Sequence, residues 1–420
     1  MTNYAEEMLA ALRLGQVEKA KAAFVSSLKE DDDDMVFSLA EDLYAMGFVD
    51  ESKTAYKHLL EKYPDEDQLK SALAEMAIEE DKLEEAQDYL AQISPDSEAY
   101  LQALMVKADL YQQEGLNESA ELSLKKAREL APEEPIVAFA LGEFYFSTGE
   151  YNKAIALYRG LLLQGQRHIA QVDLAARIGT AYAAVGNVDN AIAYLEQIKP
   201  VDLTIDTKFQ LAFLYQEQGD VDKAIELYED ILDQDPHYTS VYPLLGQSQE
   251  KKQEQKQALQ TYQAGISYDQ TNPLLFRLAA DLAFRMQEDD LAKEYFEKSL
   301  SLDDMDITTI LSFADFHLAL HDMDAVVALI KQAKDKDLVD PKFNWDLGRA
   351  YHALEDDEKA KEFFEAAKVD YPQNIEFLQD LADFYHETGA VKDEKATLEK
   401  VVALNPDDFD LAERLADLEF

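Results

Sequence analysis

The sequence predicts an all-α fold in which about twelve helix-turn-helix repeats follow one another and a further helix closes the C-terminal end. Two observations lead to this prediction. Only 14 of the 420 residues are glycine and 11 are proline, which is typical of a helical chain with few tight turns. Small side chains also recur along the chain at intervals of 32 to 37 residues, and most intervals are 34 residues.

Each repeat places small and large side chains at fixed positions. We number the repeats so that the recurring small residue is position 20, which is Ala20 in the first repeat. Position 24 is apolar or aromatic in all twelve repeats, and position 8 is nearly always alanine or glycine, as at Gly348. Two helices are therefore expected to approach closely at position 8. Prolines such as Pro132 and Pro273 fall at the boundaries between repeats, where they leave helix interiors intact.

These repeats resemble the tetratricopeptide repeat (TPR). One repeat carries most of the family motif, with Trp345, Leu347, Gly348, Tyr351, Ala360, Phe364 and Pro372. The resemblance covers residues 1–406 and implies a right-handed superhelical solenoid, as in bacterial proteins made of TPR repeats alone. Five residues stand where the family usually has glycine in the turn: Asp81, Gln253, Gln287, His321 and Glu355. Two more, Val326 and Glu394, replace the usual small residue at position 20.

One continuous solenoid is expected, with repeats 1–5 in residues 1–166, repeats 6–12 in residues 167–408 and a capping helix in residues 409–420. The longest interval contains an insertion, so residues 163–171 are a candidate hinge, although a longer loop without a mechanical role is the favoured interpretation. The acidic run at residues 31–34 is expected to cap the following helix at Asp33 or Asp34.

Charge and motifs exclude several classes of function. The chain has 39 Lys and Arg against 86 Asp and Glu, a net charge of −47, which repels phosphate backbones and anionic lipid headgroups, so no nucleic-acid or membrane partner is expected. Without cysteine, signal peptide or long apolar run, a cytoplasmic location is the expectation. We find no phosphate-binding loop, zinc-protease motif or nucleophile elbow, and we expect no enzyme activity, cofactor or metal. Only His317 and His321 have metal-ligand spacing, and their places in the repeat face different ways.

The candidate binding site follows from the resemblance, because first helices of TPR repeats line a concave face with positions 2, 5, 9 and 12. Position 9 is acidic in four consecutive repeats, at Glu41, Glu75, Asp109 and Glu143. Aromatic residues occupy positions 5 and 12 of two of these repeats, at Phe37, Tyr44, Phe139 and Phe146. Carboxylates and aromatic faces together suit a basic, partly apolar segment. Solubility is the alternative explanation for part of the acidity.

A second candidate patch has the opposite sign. It comprises Arg277, Arg285, Lys342, Arg349, His352 and His386, which could surround an acidic ligand. Asp281, Asp315 and Asp383 lie among these residues, and mutual neutralisation is the favoured interpretation.

The main functional hypothesis is a non-enzymatic adaptor or assembly factor that holds a basic segment of a protein or peptide in the acidic groove. The alternative is a sensor of a signalling peptide, like some bacterial TPR regulators, which would close at the hinge near Gly165 and act on a protein target. The sequence leaves the partner's identity and the oligomeric state open.

Overall fold

The computed structural model describes residues 3–418, and most of this range is α-helical. The chain divides into two compact units, residues 1–207 and residues 208–420. The first unit contains α1 Tyr4–Arg13, α2 Val17–Glu30, α3 Asp33–Ala45, α4 Val49–Lys62, α5 Asp67–Glu79, α6 Leu83–Ala91, α7 Tyr100–Gln113, α8 Asn117–Leu130, α9 Pro135–Ser147, α10 Tyr151–Leu163, α11 Leu174–Ala184 and α12 Val188–Leu195. A β-hairpin of β1 His168–Ile169 and β2 Val172–Asp173 separates α10 from α11, and a 3₁₀ turn, Pro200–Asp202, follows α12.

The second unit continues the same pattern from α13, which begins three residues before the boundary between the units. Its helices are α13 Ile205–Gln218, α14 Val221–Gln234, α15 Val241–Lys251, α16 Gln255–Tyr268, α17 Pro273–Arg285, α18 Asp289–Leu302, α19 Ile307–Ala319, α20 Met323–Asp335, α21 Pro341–Ala353, α22 Asp357–Ala367, α23 Ile375–Glu387, α24 Val391–Leu404 and α25 Phe409–Asp417. Helices α1 to α24 form the twelve predicted pairs, including α13 and α14, which are joined by a 3.1 Å hydrogen bond from the Tyr228 hydroxyl to Gln216. The all-α solenoid of helix-turn-helix repeats is therefore confirmed.

The close helix approach predicted at position 8 is present. A Cβ atom added to Gly142 would lie 2.6 Å from the Tyr158 ring, and one added to Gly246 would lie 2.2 Å from the Tyr262 ring. In each case the glycine is position 8 and the tyrosine is position 24 of the same repeat. Because no side chain separates the two backbones there, the large residue of the second helix packs directly on the first helix.

The turns inside the repeats keep one backbone geometry even where glycine is missing. The five residues that replace glycine all adopt a left-handed conformation, with φ between 57° and 64°: Asp81, Gln253, Gln287, His321 and Glu355. This conformation costs about 1–2 kcal/mol for a residue with a Cβ. Packing of the paired helices therefore imposes the turn, and glycine only makes it easier to form.

Helix caps account for much of the remaining local order, with one correction. Asp32, and neither Asp33 nor Asp34, caps α3 by accepting a hydrogen bond of 2.9 Å from the backbone N–H of Met35. The preceding Asp31 accepts bonds from the first backbone N–H groups of α1, including one of 2.8 Å from Ala5. The run thus caps two helices, because carboxylates stabilise the positive N-terminal end of a helix.

The core of each unit lies between consecutive helix pairs. In the first unit, buried clusters overlap along the chain from Ala5 to Ala181. In the second unit they extend from Tyr242 to Val401. Within each unit, helix pairs joined by these clusters thus share apolar side chains with their neighbours, as expected for a solenoid whose repeats cannot bury their apolar faces alone.

The insertion at residues 163–171 lies inside the first unit. His168 pairs with Asp173 across the hairpin, and Arg167 Nε lies 3.0 Å from Asp173 Oδ2. Asp173 also caps α11 by accepting a 2.7 Å bond from the N–H of Ala175. The insertion therefore forms a short hairpin attached to the start of α11, and its role as a hinge stays a prediction.

The predicted capping helix corresponds to α25, which packs on α24. Arg414 of α25 donates to Glu394 of α24 at 2.9 Å and to Asp383 of α23 at 2.5 Å. Glu394 is only 1% exposed, so the carboxylate that replaces the usual small residue serves to hold the final helix. Residues 1–2 of the first repeat and residues 419–420 of the predicted cap lie outside the described residues.

Candidate functional site

The four predicted acids lie on four consecutive first helices of the first unit. Glu41 is on α3, Glu75 on α5, Asp109 on α7 and Glu143 on α9. Each follows the small residue that packs against the second helix. Because successive residues of an α-helix are rotated by about 100°, the acid is turned away from that contact. We call these four residues the acidic row.

The members of the acidic row differ in exposure. Glu41 and Asp109 are exposed, whereas Glu75 is half-buried. Desolvation raises the pKa of Glu75, and the negative charges of Glu79 and Asp109 raise it further. Asp109 reaches solvent, yet nearby protein removes part of its surrounding water, and this desolvation raises its pKa to about 6. The row therefore holds carboxylates whose negative charge is poorly compensated.

Glu143 is the exception, because the protein supplies its cation. The Tyr158 hydroxyl donates to Glu143 Oε1 at 2.5 Å, and Arg177 Nη2 donates to Oε2 at 2.8 Å. The Arg177 guanidinium also lies 5.0 Å from the centre of the Phe146 ring. Glu143 and Phe146 therefore already bind an arginine side chain, one that comes from α11. Sequence reasoning missed Arg177 although its place, near the start of the next first helix, could have been inspected.

The predicted aromatic residues divide between surface and core. Tyr44 is half-buried and donates a 2.6 Å hydrogen bond to Glu79. Phe37 is half-buried and meets Tyr56 edge-on at 5.7 Å. Phe139 is only 7% exposed and packs in the core. Phe37, Tyr44 and Phe146 thus remain partly accessible, whereas Phe139 does not line an open surface.

A cavity of about 290 Å³ joins two members of the acidic row. It lies between α7 and α9 and brings Asp109 and Glu143 to one space. Its wall consists of Met105, Asp109, Gln112, Leu124, Ala140, Glu143, Phe144 and Ser147. Apolar walls with carboxylates suit a cationic side chain that carries an aliphatic stem.

The second candidate patch lies in the second unit and is internally neutralised. Each of its six residues has a carboxylate partner: Arg277 pairs with Asp281, Arg285 with Glu250, Lys342 with Asp315 and Asp346, Arg349 with Asp380, His352 with Asp357 and Glu387, and His386 with Glu394. Arg349 and His352 also line a cavity of about 260 Å³, but Asp380, Asp383 and Glu387 share its wall. The patch therefore offers little uncompensated positive charge to an acidic ligand.

The histidines and the helices were considered in the sequence as possible metal ligands and membrane spans, and the structure bears on both. Among residues 3–418, no group of three or more histidine and carboxylate side chains is arranged to hold a metal ion. His317 is buried, and its Nδ1 lies 3.3 Å from Asp322 Oδ2. Within the same described range, none of the helices combines the length and apolar character needed to cross a bilayer.

Comparison with protein families finds TPR models along most of the chain. The family described as YpiA-like, tetratricopeptide repeats, matches residues 112–166, and its C-terminal counterpart matches residues 341–408. General tetratricopeptide-repeat models match residues 37–98, 215–282 and 274–304.

Two curated relatives and two solved structures illustrate the similarity. The chain is 30% identical over 419 residues to the TPR repeat-containing protein YpiA of Bacillus subtilis (strain 168), covering 100% of this chain and 99% of that protein. It is 24% identical over 322 residues to the Protein CTR9 homolog of Arabidopsis thaliana, covering 72% of this chain and 29% of that protein. A chain in the crystal structure of the APC/C hetero-tetramer Cut9-Hcn1 aligns with a TM-score of 0.45 and 12% identity, covering 98% and 95% of the two chains. A chain in the structure of Naa15/Naa10 bound to HypK-THB aligns with a TM-score of 0.36 and 15% identity, covering 92% and 66%.

Proposed function

Because the chain belongs to the YpiA-like family of tetratricopeptide-repeat proteins, whose repeats are protein-interaction scaffolds, we propose that its first unit holds a basic segment of a partner protein along the acidic row. One observation carries the proposal. Among the described residues, Glu41, Glu75 and Asp109 take part in no ion pair, although the chain pairs most of its lysines and arginines elsewhere.

The energetics of the row support a cationic partner. Desolvation raises the pKa of Glu75 and that of Asp109, and among the described residues neither carboxylate has a cation partner, although Asp109 accepts a long 3.4 Å hydrogen bond from the Gln112 amide. A lysine or arginine beside them would supply the missing interaction. The net charge of −47 adds a long-range field that draws a basic segment towards the protein.

The spacing of the row suggests the form of the segment. Packed helices lie about 8–10 Å apart, and an extended chain advances about 3.3 Å per residue. One acid per first helix therefore matches one basic residue at roughly every third position of an extended segment. Apolar residues between them could contact Phe37 and the walls of the cavity beside Asp109.

Ion pairs alone give weak binding. Each exposed pair contributes about 0.2–1 kcal/mol, so three pairs contribute about 0.6–3 kcal/mol. Burial of apolar groups must supply the rest of the affinity. We also propose that the chain binds its partner without chemical conversion, since it belongs to a family of tetratricopeptide-repeat proteins and its helices follow the repeat pattern.

The test compares two triple variants of the full chain. The first, Glu41→Gln, Glu75→Gln and Asp109→Asn, removes the unpaired charges of the row. The matched control is Glu61→Gln, Asp88→Asn and Glu129→Gln, which removes three exposed charges from the second helices of the same repeats. The probe is a fluorescein-labelled extended peptide with arginine at every third position and leucine between them, followed by fluorescence anisotropy.

We expect the first variant to bind the probe roughly threefold to a hundredfold more weakly than the unchanged protein. The control should change the affinity by less than about twofold, because its charges act only through the screened long-range field. Equal weakening by both variants would mean that total charge, and not the row, attracts the peptide. Circular dichroism of both variants verifies that the helices are retained.

A further inference from the structure

Repeats 2 and 5 carry the same kinds of side chain at four corresponding positions, three aromatic rings and one glutamate. At positions 5, 9, 12 and 24, repeat 2 has Phe37, Glu41, Tyr44 and Tyr56, and repeat 5 has Phe139, Glu143, Phe146 and Tyr158. The packing within the two sets is similar, since the rings at positions 5 and 24 lie 5.7 Å apart in repeat 2 and 6.2 Å apart in repeat 5. Repeats 3 and 4 lack an aromatic residue at position 12, where they have Ile78 and Gln112.

The set in repeat 5 is occupied by an arginine of the chain itself. Arg177 donates to Glu143 at 2.8 Å while its guanidinium lies 5.0 Å from the centre of the Phe146 ring. A guanidinium is planar, so it can bond a carboxylate at its edge and contact a ring with its face. Repeat 5 therefore shows how an arginine is bound by these side chains.

Arg177 reaches this place from position 6 of the next repeat, two residues before Gly179 at position 8. The second unit contains the same relation with the charges exchanged. There Arg349, at position 9 of repeat 11, lies 3.3 Å from Asp380, at position 6 of repeat 12. In both places, the side chain at position 9 of one repeat pairs with the side chain at position 6 of the next repeat.

In repeat 2 the chain provides no such partner. The residue at position 6 of repeat 3 is Ala72, whose methyl group carries no charge. Glu41 is exposed and, within residues 3–418, forms no ion pair. The Tyr44 hydroxyl donates a 2.6 Å hydrogen bond to Glu79, and Tyr44 follows Glu41 by three residues on α3, a spacing that places two side chains on neighbouring parts of a helix surface. Repeat 2 therefore has a glutamate and an aromatic ring like those that bind Arg177 in repeat 5, but repeat 3 has no arginine at position 6.

We propose that repeat 2 binds an arginine side chain of the partner between Glu41 and Tyr44, in the way that repeat 5 binds Arg177. This inference rests on the proposed function and specifies its chemistry: the segment needs arginine at this point, and lysine is a poorer substitute. Burial raises the pKa of the Tyr56 phenol, and the negative charges of Glu41 and Glu75 raise it further, which agrees with both carboxylates lying near the same side chain. A guanidinium there would meet carboxylates from α3 and α5.

The decisive variant is Ala72→Arg in the full chain. It copies the arrangement of repeat 5, so an internal guanidinium would compete for Glu41 and Tyr44. The control Leu122→Arg adds the same charge on α8, at a side chain that is 69% exposed. With the arginine peptide described above, Ala72→Arg should weaken binding about tenfold, whereas Leu122→Arg should change it less than about twofold. The same peptide with lysine in place of arginine should bind the unchanged protein more weakly, and Ala72→Arg should weaken the binding of this lysine peptide by a smaller factor.

A second variant protects the test against misfolding of Ala72→Arg. Arg177→Ala leaves Glu143 and Phe146 of repeat 5 without their internal arginine, so it should strengthen binding of the arginine peptide. A misfolded variant would not bind the peptide more tightly. Arg159→Ala, at an exposed position of α10, removes the same charge and serves as its control.

The outcomes separate this inference from the proposed function. If Ala72→Arg and Leu122→Arg weaken binding equally, or if Arg177→Ala strengthens binding of the arginine peptide no more than Arg159→Ala does, the arginine site is refuted. Binding along the acidic row would still stand. If the arginine and lysine peptides bind with equal affinity, the arginine site is refuted as well. If neither peptide binds the unchanged protein, both the inference and the proposed function fail.

Discussion

Replacing Gly246 by alanine tests the close helix approach on which the fold depends. The added methyl carbon would lie 2.2 Å from Cε1 of Tyr262, whereas carbon atoms in contact are about 3.5–4.0 Å apart. The Tyr262 ring must therefore move by about 1.3–1.8 Å, or α15 and α16 must separate by a similar distance. The ring is fully buried and its hydroxyl donates a 2.6 Å bond to Glu250, so neither movement is free.

The expected change in the free energy of unfolding is the difference between two opposing effects of the added methyl group. Overpacking of a filled core costs about 1–3 kcal/mol. Alanine in place of glycine inside a helix stabilises by about 0.5–1 kcal/mol. We expect Gly246→Ala to lower the free energy of unfolding by about 1 kcal/mol, and at most about 2.5 kcal/mol. Gly160 in α10 provides the matched control, since a Cβ there would meet nothing within 4 Å. Gly160→Ala should stabilise the protein by about 0.5–1 kcal/mol.

Native-state hydrogen exchange on the full chain measures both effects locally, which matters because repeat arrays need not unfold in a single step. Amides of α15 and α16 should exchange about five times faster or more in Gly246→Ala. Amides of α10 should exchange more slowly in Gly160→Ala. Protection of α15 and α16 that is unchanged or increased by Gly246→Ala would refute the packing argument.

Two further predictions concern charged groups. Asp109→Asn should raise the melting temperature at about pH 7.5, because the pKa of Asp109 is raised to about 6 from about 3.9 in an unfolded chain. The folded state thus binds the proton of Asp109 more tightly than the unfolded chain does, so the negative charge of Asp109 destabilises the folded state above about pH 6. The stability gained by asparagine should therefore decrease as the pH falls from about 6 towards 4. An Asp109→Asn variant that is less stable than the unchanged protein at neutral pH would contradict this prediction. Arg414→Ala should cost about 1–3 kcal/mol and expose α25 to hydrogen exchange, because it leaves the buried carboxylate of Glu394 without its arginine. Adding Glu394→Ala should recover much of that loss in urea unfolding, and a double variant no more stable than Arg414→Ala would count against the ion pair.

The fold could be predicted because its decisive contacts lie within one repeat. Gly142 and Tyr158 are 16 residues apart and belong to the same repeat, so the pattern of small and large residues within that repeat is enough to predict their contact. The turn needs only a left-handed residue, so even His321 with φ of 57° keeps the register. The repeat pattern could not predict the structure of the insertion, because its hairpin at residues 168–173 has no counterpart in the other repeats of the described chain.

The exposure of single side chains was harder to predict. Positions 5 and 12 define one face of the first helix, yet Phe139 is in the core and Phe37 is half-buried. The difference depends on how neighbouring first helices pack, and the helical period carries no information about that distance. Glu394 shows the same limit, because a carboxylate at a small-residue position makes sense only with Arg414 from the final helix.

The partner of Glu143 was hidden by the insertion. Counted forward by the usual 34 residues, Glu143 leads to Arg177, which suggests that the arginine occupies position 9 of the next repeat. The hairpin shifts the register, and the contact of Gly179 with Leu195 places Arg177 at position 6 instead. Once position 6 is recognised as the partner of position 9, the sequence becomes informative again. Position 6 in the repeats that follow Glu41, Glu75 and Asp109 is alanine, valine and alanine, so of the four acids only Glu143 meets a cation from position 6, and the other three form no ion pair within the described part of the chain.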